Sequence, residues 1–345
     1  MSRKSFLLSC QGLICIARVL LLKHLPEWAE CLSLVFTGAV ALLIPFIYIK
    51  DTIFPEVCQS LYKYFFCCYN RSMYLQYYGL KEKPFNVTSD PSFFFLSRRH
   101  KEAIACMSYG INERKGLITV TGEIGIGKTT MCRTLLSQLD KSIKTALVIN
   151  PYFSEVQLLE LIVQDFGIQL KKRSRLGLIN ALNDFLLNQA SLGNNAVIII
   201  DEAQNLTCRQ LEQVRLLSNL ETDKEKLLQI VLVGQPELRK KLELFELRQI
   251  KQRVMVDYHI EPLEEDELDD YIYHRLETAC LNPEDKRIEF EPDAFRDIYS
   301  FSQGVPRLIN LLCDRALLLS FIKEKSSIAR DIISECVKDI RVKTE

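Results

Sequence analysis

The sequence predicts an α/β fold, in which a doubly wound parallel sheet is sandwiched by helices and followed by a small all-helical domain. Two observations carry this prediction. Between residues 116 and 260, apolar and β-branched runs alternate with segments of helical spacing, which is the order that produces a parallel sheet with crossover helices. After Pro262 the strand pattern stops, and only stretches of helical spacing follow.

The signals for the individual elements are local. A helix is predicted over Arg98–Asn112, because Ala103, Met107 and Ile111 share one face. Residues 197–200 are consecutive apolar β-formers, which is typical of a strand covered on both faces. The predicted strands are residues 116–121, 145–150, 196–200, 228–233 and 254–260. The other predicted helices are residues 131–139, 155–166, 176–192, 208–220, 264–279, 292–302, 305–323 and 329–343.

Composition and charge narrow the functional classes. The chain of 345 residues carries 44 Lys and Arg against 44 Asp and Glu, so it has no global field that would attract nucleic acid. Beyond residue 72 the cysteines are scattered singly among apolar residues, as buried thiols in a reducing compartment are. The sequence contains no CxxC pair, and we therefore predict neither structural zinc nor disulfides.

The first 72 residues differ from the rest of the chain. Residues 31–49 contain no charged side chain and are long enough to cross the hydrocarbon core of a bilayer as a helix. Two interpretations stay open: this stretch anchors the chain in a membrane, or translation starts at Met73. The predicted parts of the chain are a hydrophobic extension over residues 1–72, an α/β core over 73–260 and a helical lid over 261–345.

A glycine-rich loop joins the first predicted strand to its helix. Residues 122–130 read GEIGIGKTT, which is a P-loop pattern in the strand–loop–helix context that this motif requires. The glycines let backbone N–H groups wrap around a polyphosphate, and the helix N-terminus favours the same negative charge. Lys128 is expected to reach the β- and γ-phosphates, and the Thr129 hydroxyl is expected to ligate Mg²⁺. The predicted ATP-binding residues are Gly122, Glu123, Gly125, Gly127, Lys128, Thr129 and Thr130.

Two adjacent carboxylates indicate that the site hydrolyses the nucleotide as well as binding it. Asp201 and Glu202 directly follow the apolar run at 196–200, at the strand end where open α/β sheets bind ligands. Asp201 is placed to hold Mg²⁺, and Glu202 is placed to orient and polarise the attacking water. Because phosphoryl transfer depends mostly on positioning and charge neutralisation, one such group is sufficient.

The order and spacing of four motifs resemble an AAA-type P-loop ATPase. The motifs are GEIGIGKTT, IIIDEAQNL, VLVGQPEL and GVPRLIN. Together with the opening of residues 73–85, they are most similar to the general secretion pathway protein A (ExeA-like) group. The resemblance covers residues 73 to about 342. It implies a cytoplasmic ATPase that acts as a switch or assembly factor for a secretion, pilus or polysaccharide-export system at the inner membrane.

The resemblance also implies roles for further residues. Gln235 matches the sensor-1 position, where a polar side chain contacts the γ-phosphate or the water. Arg307 matches the sensor-2 position on the lid. Arg253 resembles the arginine finger that reaches a neighbouring subunit's ATP, with Arg248 as the second choice. The implied assembly is therefore a homo-oligomer whose site is completed in trans.

The sequence leaves alternatives open. Asp201 and Glu202 would also suit a helix N-cap with an acidic first turn. The aromatic run at residues 93–95 either covers an adenine ring or packs in the core. A DNA-associated ATPase of the transposition type shares this core, although the balanced charge and the lack of a recognisable helix-turn-helix disfavour it. A third class is a nucleotide-binding scaffold without turnover, against which the two carboxylates argue.

Overall fold

The described part of the chain is built around a five-stranded, all-parallel sheet. The computed structural model describes residues 74–86, 88, 90–149, 151–169, 174–223, 225–281, 288–325 and 327–342. The strands of the sheet are β1 Leu117–Gly122, β2 Ile143–Val148, β3 Asn195–Ile200, β4 Gln229–Gly234 and β5 Val254–Ile260. Their spatial order is β2-β3-β4-β1-β5, so β1 lies between β4 and β5.

One helix that precedes β1 and the helices between the strands cover both faces of the sheet. They are α1 Arg98–Asn112, α2 Lys128–Gln138, α3 Glu155–Asp165, α4 Arg175–Ser191, α5 Cys208–Leu217, α6 Pro236–Leu242 and α7 Arg248–Lys251. Residues of α1 and α2 share one core cluster with Val197 and Ile199, whereas α3, α4, α5 and α6 share another with Ile198 and Ile200. Successive residues of β3 therefore point into opposite cores, and its whole length is buried.

Strand register places the functional motifs at one edge. In the parallel pairing, Gly122 is level with Ile260, and Ile200 is level with both Val148 and Leu232. Residue 201 and residue 235 directly follow the ends of β3 and β4. Because all five strands run in the same direction, the P-loop and the polar residues after β3 and β4 emerge together.

A helical region follows β5. Its helices are α8 Leu268–Ala279, α9 Pro292–Ser302, α10 Pro306–Ile322 and α11 Arg330–Val342. They form a third core cluster, which also buries Tyr74, Tyr78 and Phe85 from the start of the described chain. Two short strands, β6 Glu289–Phe290 and β7 Ser327–Ile328, pair in parallel within this region.

The predicted fold class is confirmed. The sheet is parallel and flanked by helices, and the C-terminal region is helical. The prediction did not include β6 and β7, because a strand of two residues has no periodicity that a sequence could display. It also missed α6 and α7, which are only 7 and 4 residues long.

The predicted domain boundaries and the membrane segment have different outcomes. Ser72–Glu345 form one unit, so a division near residue 261 stays a sequence prediction. The hydrophobic stretch at residues 31–49 lies outside the described residues. Within the described ranges, no helix combines the length and the apolar composition that crossing a membrane requires.

Candidate functional site

The P-loop is held in its conformation by glycines and by close packing. Gly125 and Gly127 have φ values of +84° and +95°, a region that side chains other than glycine rarely adopt. A Cβ on Gly122 would lie 2.9 Å from the carbonyl oxygen of Ile260. Helix α2 starts directly after Gly127. Because this glycine has no side chain, it cannot cap the first backbone N–H groups of the helix. The loop therefore presents unpaired donors, as an anion-binding loop does.

Lys128 lies inside this loop. It is 6% exposed, and its Nζ donates to the carbonyl oxygens of Gly122 and Glu123, each at 2.8 Å. Burial lowers the pKa of Lys128, while the negative charges of Glu202, Asp201 and Glu123 act in the opposite direction. Its neighbours within hydrogen-bond distance are neutral carbonyls, so a phosphate would gain a charge-assisted contact here.

The carboxylate of Asp201 contacts the Thr129 hydroxyl. The Thr129 hydroxyl donates to Asp201 Oδ2 at 2.5 Å, and the backbone N–H of Glu202 donates to Oδ1 at 2.9 Å. Asp201 is 1% exposed, and this burial raises its pKa more strongly than the Thr129 and Glu202 hydrogen bonds lower it. A hydroxyl and a carboxylate oxygen in contact are the ligand types that Mg²⁺ prefers.

Glu202 is fixed by two glutamines. Its Oε2 accepts from Gln204 Nε2 at 2.5 Å and from Gln235 Nε2 at 3.2 Å. Gln204 Oε1 in turn accepts the backbone N–H of Gln235 at 3.0 Å. Glu202 has φ +54° and ψ +37°, a left-handed conformation that costs about 1–2 kcal/mol for a residue with a side chain. Strain of this kind is concentrated at functional sites, where the surrounding structure maintains it.

Arg307 brings the helical region to the P-loop. Its backbone N–H donates to the carbonyl oxygen of Gly125 at 3.1 Å, and a Cβ on Gly125 would lie 2.6 Å from the Cβ of Arg307. The guanidinium is exposed and makes no hydrogen bond or ion pair with another residue in the described part of the chain. It is thus available to a ligand that lies against the loop.

These elements enclose a cavity of ≈ 340 Å³. Its walls come from the P-loop, from Glu202 and Gln235, from the N-terminus of α10 and from the segment before α1. In that segment Phe93 is buried in the core of the helical region, while Phe94 and Phe95 are half-buried. All three line the cavity, so the aromatic run serves both the core and the pocket that sequence analysis left as alternatives.

A buried arginine holds this aromatic segment. Arg275 of α8 is 7% exposed and donates to the carbonyl oxygens of Pro84 at 2.7 Å and Asn86 at 3.1 Å. Its guanidinium lies 5.1 Å from the ring centre of Phe93. One side chain of the helical region therefore fixes the backbone that forms one wall of the cavity.

The predicted arginine fingers lie elsewhere. Arg253 directly precedes β5, whose first residue, Val254, is level with Leu117 at the start of β1. This is the opposite edge of the sheet from the P-loop. Arg248 is exposed, and its guanidinium stacks over the ring of Phe245 at 4.3 Å. Neither residue lines the cavity of its own subunit.

The residues at the cavity fit a nucleoside triphosphate with Mg²⁺. The left-handed glycines open a backbone cradle, Lys128 and Arg307 carry positive charge into it, and Thr129 and Asp201 supply oxygen ligands. Thr130 and the other predicted loop residues from Gly125 to Thr129 line the cavity. Gly122 and Glu123 do not line it, and they contribute the carbonyl oxygens that hold Lys128.

Comparison with known proteins shows which family the chain belongs to. A family model described as an AAA domain matches residues 111–242. General secretion pathway protein A of Aeromonas hydrophila is 42% identical over 264 residues, which cover 76% of this chain and 47% of that protein. The chain belongs to the general secretion pathway protein A family of AAA-type ATPases. It spans about half the length of this relative.

The fold of this chain is also similar to that of solved structures outside the family. Cdc6p from Pyrobaculum aerophilum matches 72% of this chain and 70% of its own, with a TM-score of 0.55 and 16% identity. The ADP form of the Aeropyrum pernix ORC2 protein matches 69% of this chain and 67% of its own, with a TM-score of 0.52 and 16% identity. At this identity the likeness shows a shared AAA-type fold.

Sequence reasoning missed three residues of this family member's site. Gln204 lies within the IIIDEAQNL motif, which does not itself indicate that this side chain contacts both Glu202 and Gln235. Arg275 had no local signal, because its partners are about 190 residues away. His100 did have one: it precedes Ala103 by three residues and therefore places a polar ring on the apolar face of α1.

Proposed function

We propose that this chain is a Mg²⁺-dependent ATPase, which hydrolyses ATP to ADP and phosphate. The observation that carries the proposal is the placement of Glu202. Its carboxylate is held by Gln204 and Gln235 at the edge of a cavity that the P-loop also lines. A buried binding loop alone would serve nucleotide binding, whereas a fixed carboxylate next to it supplies a group that can orient water.

The binding residues have distinct tasks in this proposal. Lys128 would exchange its two carbonyl partners for phosphate oxygens, since a charge-assisted contact is stronger than one to a neutral acceptor. Thr129 and Asp201 would hold Mg²⁺, which neutralises phosphate charge when it is bound. Lys128 and Arg307 would complete that neutralisation from two sides of the cavity.

Glu202 and Gln235 act on the attacking water. Both amide donors bind the same oxygen of Glu202, Oε2. The other carboxylate oxygen of Glu202 can therefore accept a hydrogen bond from a water. Gln235 is fixed through its backbone N–H by Gln204 and extends its side chain to Glu202. The two side chains are thus joined by hydrogen bonds, which would link contact with the γ-phosphate to the position of the water-directing carboxylate.

Oligomerisation would complete the site. Arg253 lies at the opposite edge of the sheet from its own P-loop and does not line its own cavity, which supports a role at a neighbouring subunit's ATP instead. An arginine supplied in this way stabilises transition-state charge and is worth about 10³–10⁵ in rate. We propose that isolated subunits turn over slowly and that assembly of a homo-oligomer activates them.

The cellular role follows from the family. We propose that the ATPase cycle acts as a switch or assembly factor for a secretion, pilus or polysaccharide-export system, with its ATPase domain in the cytoplasm. The relative from Aeromonas hydrophila is a general secretion pathway protein, which supports this role. Anchoring at the inner membrane through residues 31–49 stays a sequence prediction.

Three proteins test the proposal: wild type, Lys128→Ala and Glu202→Gln. Wild type should release phosphate from ATP only with Mg²⁺ present. Glu202→Gln should bind ATP normally and lose about 10²–10⁴ in turnover, because it removes only the water-directing carboxylate. Lys128→Ala should lose ATP affinity. Unchanged turnover in Glu202→Gln would refute the role of this residue, and undiminished ATP binding in Lys128→Ala would refute the binding mode.

A further inference from the structure

We propose that His100 is a positioning residue for phosphate binding, because it fixes the orientation of one peptide group in the P-loop. His100 lies in the first turn of α1, and its Nε2 is 2.9 Å from the carbonyl oxygen of Ile126. Ile126 immediately precedes the left-handed Gly127. The inference rests on the proposed nucleotide function and deepens it.

The geometry of a peptide group transmits the effect. The carbonyl of Ile126 and the N–H of Gly127 belong to the same planar trans peptide, so they point in opposite directions. His100 holds the carbonyl on the side of α1. The Gly127 N–H of the same peptide is thereby turned away from the imidazole, and we expect it to donate to a phosphate oxygen there. A glycine in the left-handed region has little steric resistance to rotation of this peptide, so an external hydrogen bond is needed to fix it.

The imidazole is itself held in one arrangement. Ser97 Oγ lies 2.6 Å from Nδ1 of His100 and also accepts the backbone N–H of the same residue at 3.3 Å. A hydroxyl that donates to Nδ1 leaves the proton on Nε2, which is the atom that must donate to Ile126. The ring of Phe94 packs against the imidazole at a centroid distance of 5.0 Å and an interplanar angle of 74°.

Burial supports this arrangement. His100 is 4% exposed and Ser97 is 2% exposed, so water does not replace either contact. Burial also lowers the pKa of His100, which favours the neutral ring with a single proton. A Cβ on Gly127 would lie 3.6 Å from Nε2, so the imidazole is packed directly against the loop.

Two amide substitutions separate the proposed role from general packing. Glutamine ends its side chain near the position of Nε2 and can donate to Ile126, whereas asparagine ends near Nδ1 and cannot reach it. The measured quantities are the dissociation constants of ADP and of adenosine for full-length wild type, His100→Gln and His100→Asn. Adenosine has no phosphate and therefore reports on the rest of the cavity.

His100→Asn should bind ADP at least about tenfold more weakly than wild type, which corresponds to the loss of one ligand contact made by a backbone donor. His100→Gln should stay close to wild type, and adenosine affinity should be the same in all three proteins. The inference is overturned if His100→Asn binds ADP like wild type, if both variants lose ADP equally, or if adenosine binding falls in parallel. If wild type itself does not bind ADP, the proposed nucleotide function fails as well.

A measurement on the wild-type protein covers the case in which a variant does not fold. The tautomer of His100 can be determined by ¹⁵N NMR on histidine-labelled, full-length protein, which contains 4 histidines. A neutral ring protonated at Nε2 is expected. Protonation at Nδ1 instead would remove the donor from Ile126 and overturn the inference.

Discussion

Among the glycines of the described chain, Gly304 would bring an added Cβ nearest to another atom. It lies two residues after the end of α9, at φ +73°, and its carbonyl oxygen accepts the backbone N–H of Leu263 at 3.0 Å. A Cβ at this position would lie 2.1 Å from the carbonyl oxygen of Leu263 and 3.0 Å from its carbonyl carbon. Gly304→Ala therefore forces the segment after β5 away from the turn that precedes α10.

The expected cost has three contributions. An alanine in the left-handed region costs about 1–2 kcal/mol. Displacing the Leu263 backbone adds an overpacking cost of about 1–3 kcal/mol, and the lost hydrogen bond adds about 1 kcal/mol. The sum is about 3–6 kcal/mol, which lowers the melting temperature by roughly 10 °C in a protein of this size. Because Arg307 lies three residues further on, nucleotide affinity should fall as well.

Thermal unfolding of Gly304→Ala beside Gly167→Ala tests this reasoning. Gly167 also has φ +73°, but a Cβ there would meet nothing within 4 Å. The control variant pays only the conformational cost, about 1–2 kcal/mol, and should leave nucleotide binding unchanged. Equal losses of melting temperature in the two variants would refute the steric explanation, since the left-handed backbone would then account for the whole effect.

Three further predictions concern the site. Burial raises the pKa of Asp201 in the folded, nucleotide-free protein. The folded protein therefore binds the carboxyl proton of Asp201 more tightly than the unfolded chain does. As a result, the free energy of unfolding falls as pH rises above the unfolded-state pKa of this carboxyl group. Asp201→Asn should therefore raise the melting temperature near about pH 7, by an amount that shrinks toward about pH 4.5; a constant gain would contradict this. Arg307→Ala should weaken ATP binding about tenfold and leave ADP binding unchanged, as competition titrations would reveal. The Arg253→Ala and Glu202→Gln proteins should each be inactive alone, and a mixture of the two should regain turnover. A mixture without activity would exclude an arginine finger supplied by Arg253 in trans. Arg248→Ala, mixed with Glu202→Gln in the same way, tests the second choice for the finger.

Local patterns explain why much of the site was predictable. A P-loop is a contiguous sequence whose glycines, lysine and threonine act on one ligand, so its chemistry can be inferred without knowing the fold. The register of a parallel sheet then places residues after β1, β3 and β4 at one edge, once the strands are recognised as parallel. Asp201 was located in this way, whereas the role of Gln235 came from the resemblance of its motif to the AAA-type ATPases.

The contacts that fix these residues are not local. The link from Gln204 to both Glu202 and Gln235 depends on the left-handed backbone of Glu202, which no residue preference predicts for a glutamate. The position of β1 between β4 and β5 depends on crossover connections that the strand pattern does not specify. Arg275 reaches its carbonyl partners only because the segment before α1 returns to pack on α8.

Two helices hold the P-loop through hydrogen bonds: α1, which precedes the sheet, and α10 of the helical region. On one side, the first turn of α1 contacts the loop through His100 and contacts the residues before α8 through the N–H of Arg98, which donates to Glu267 at 2.8 Å. On the other side, Arg307 of α10 donates to Gly125. A displacement of the loop backbone therefore alters hydrogen bonds to α1 and to α10 at once. These contacts join the P-loop directly to the helical region.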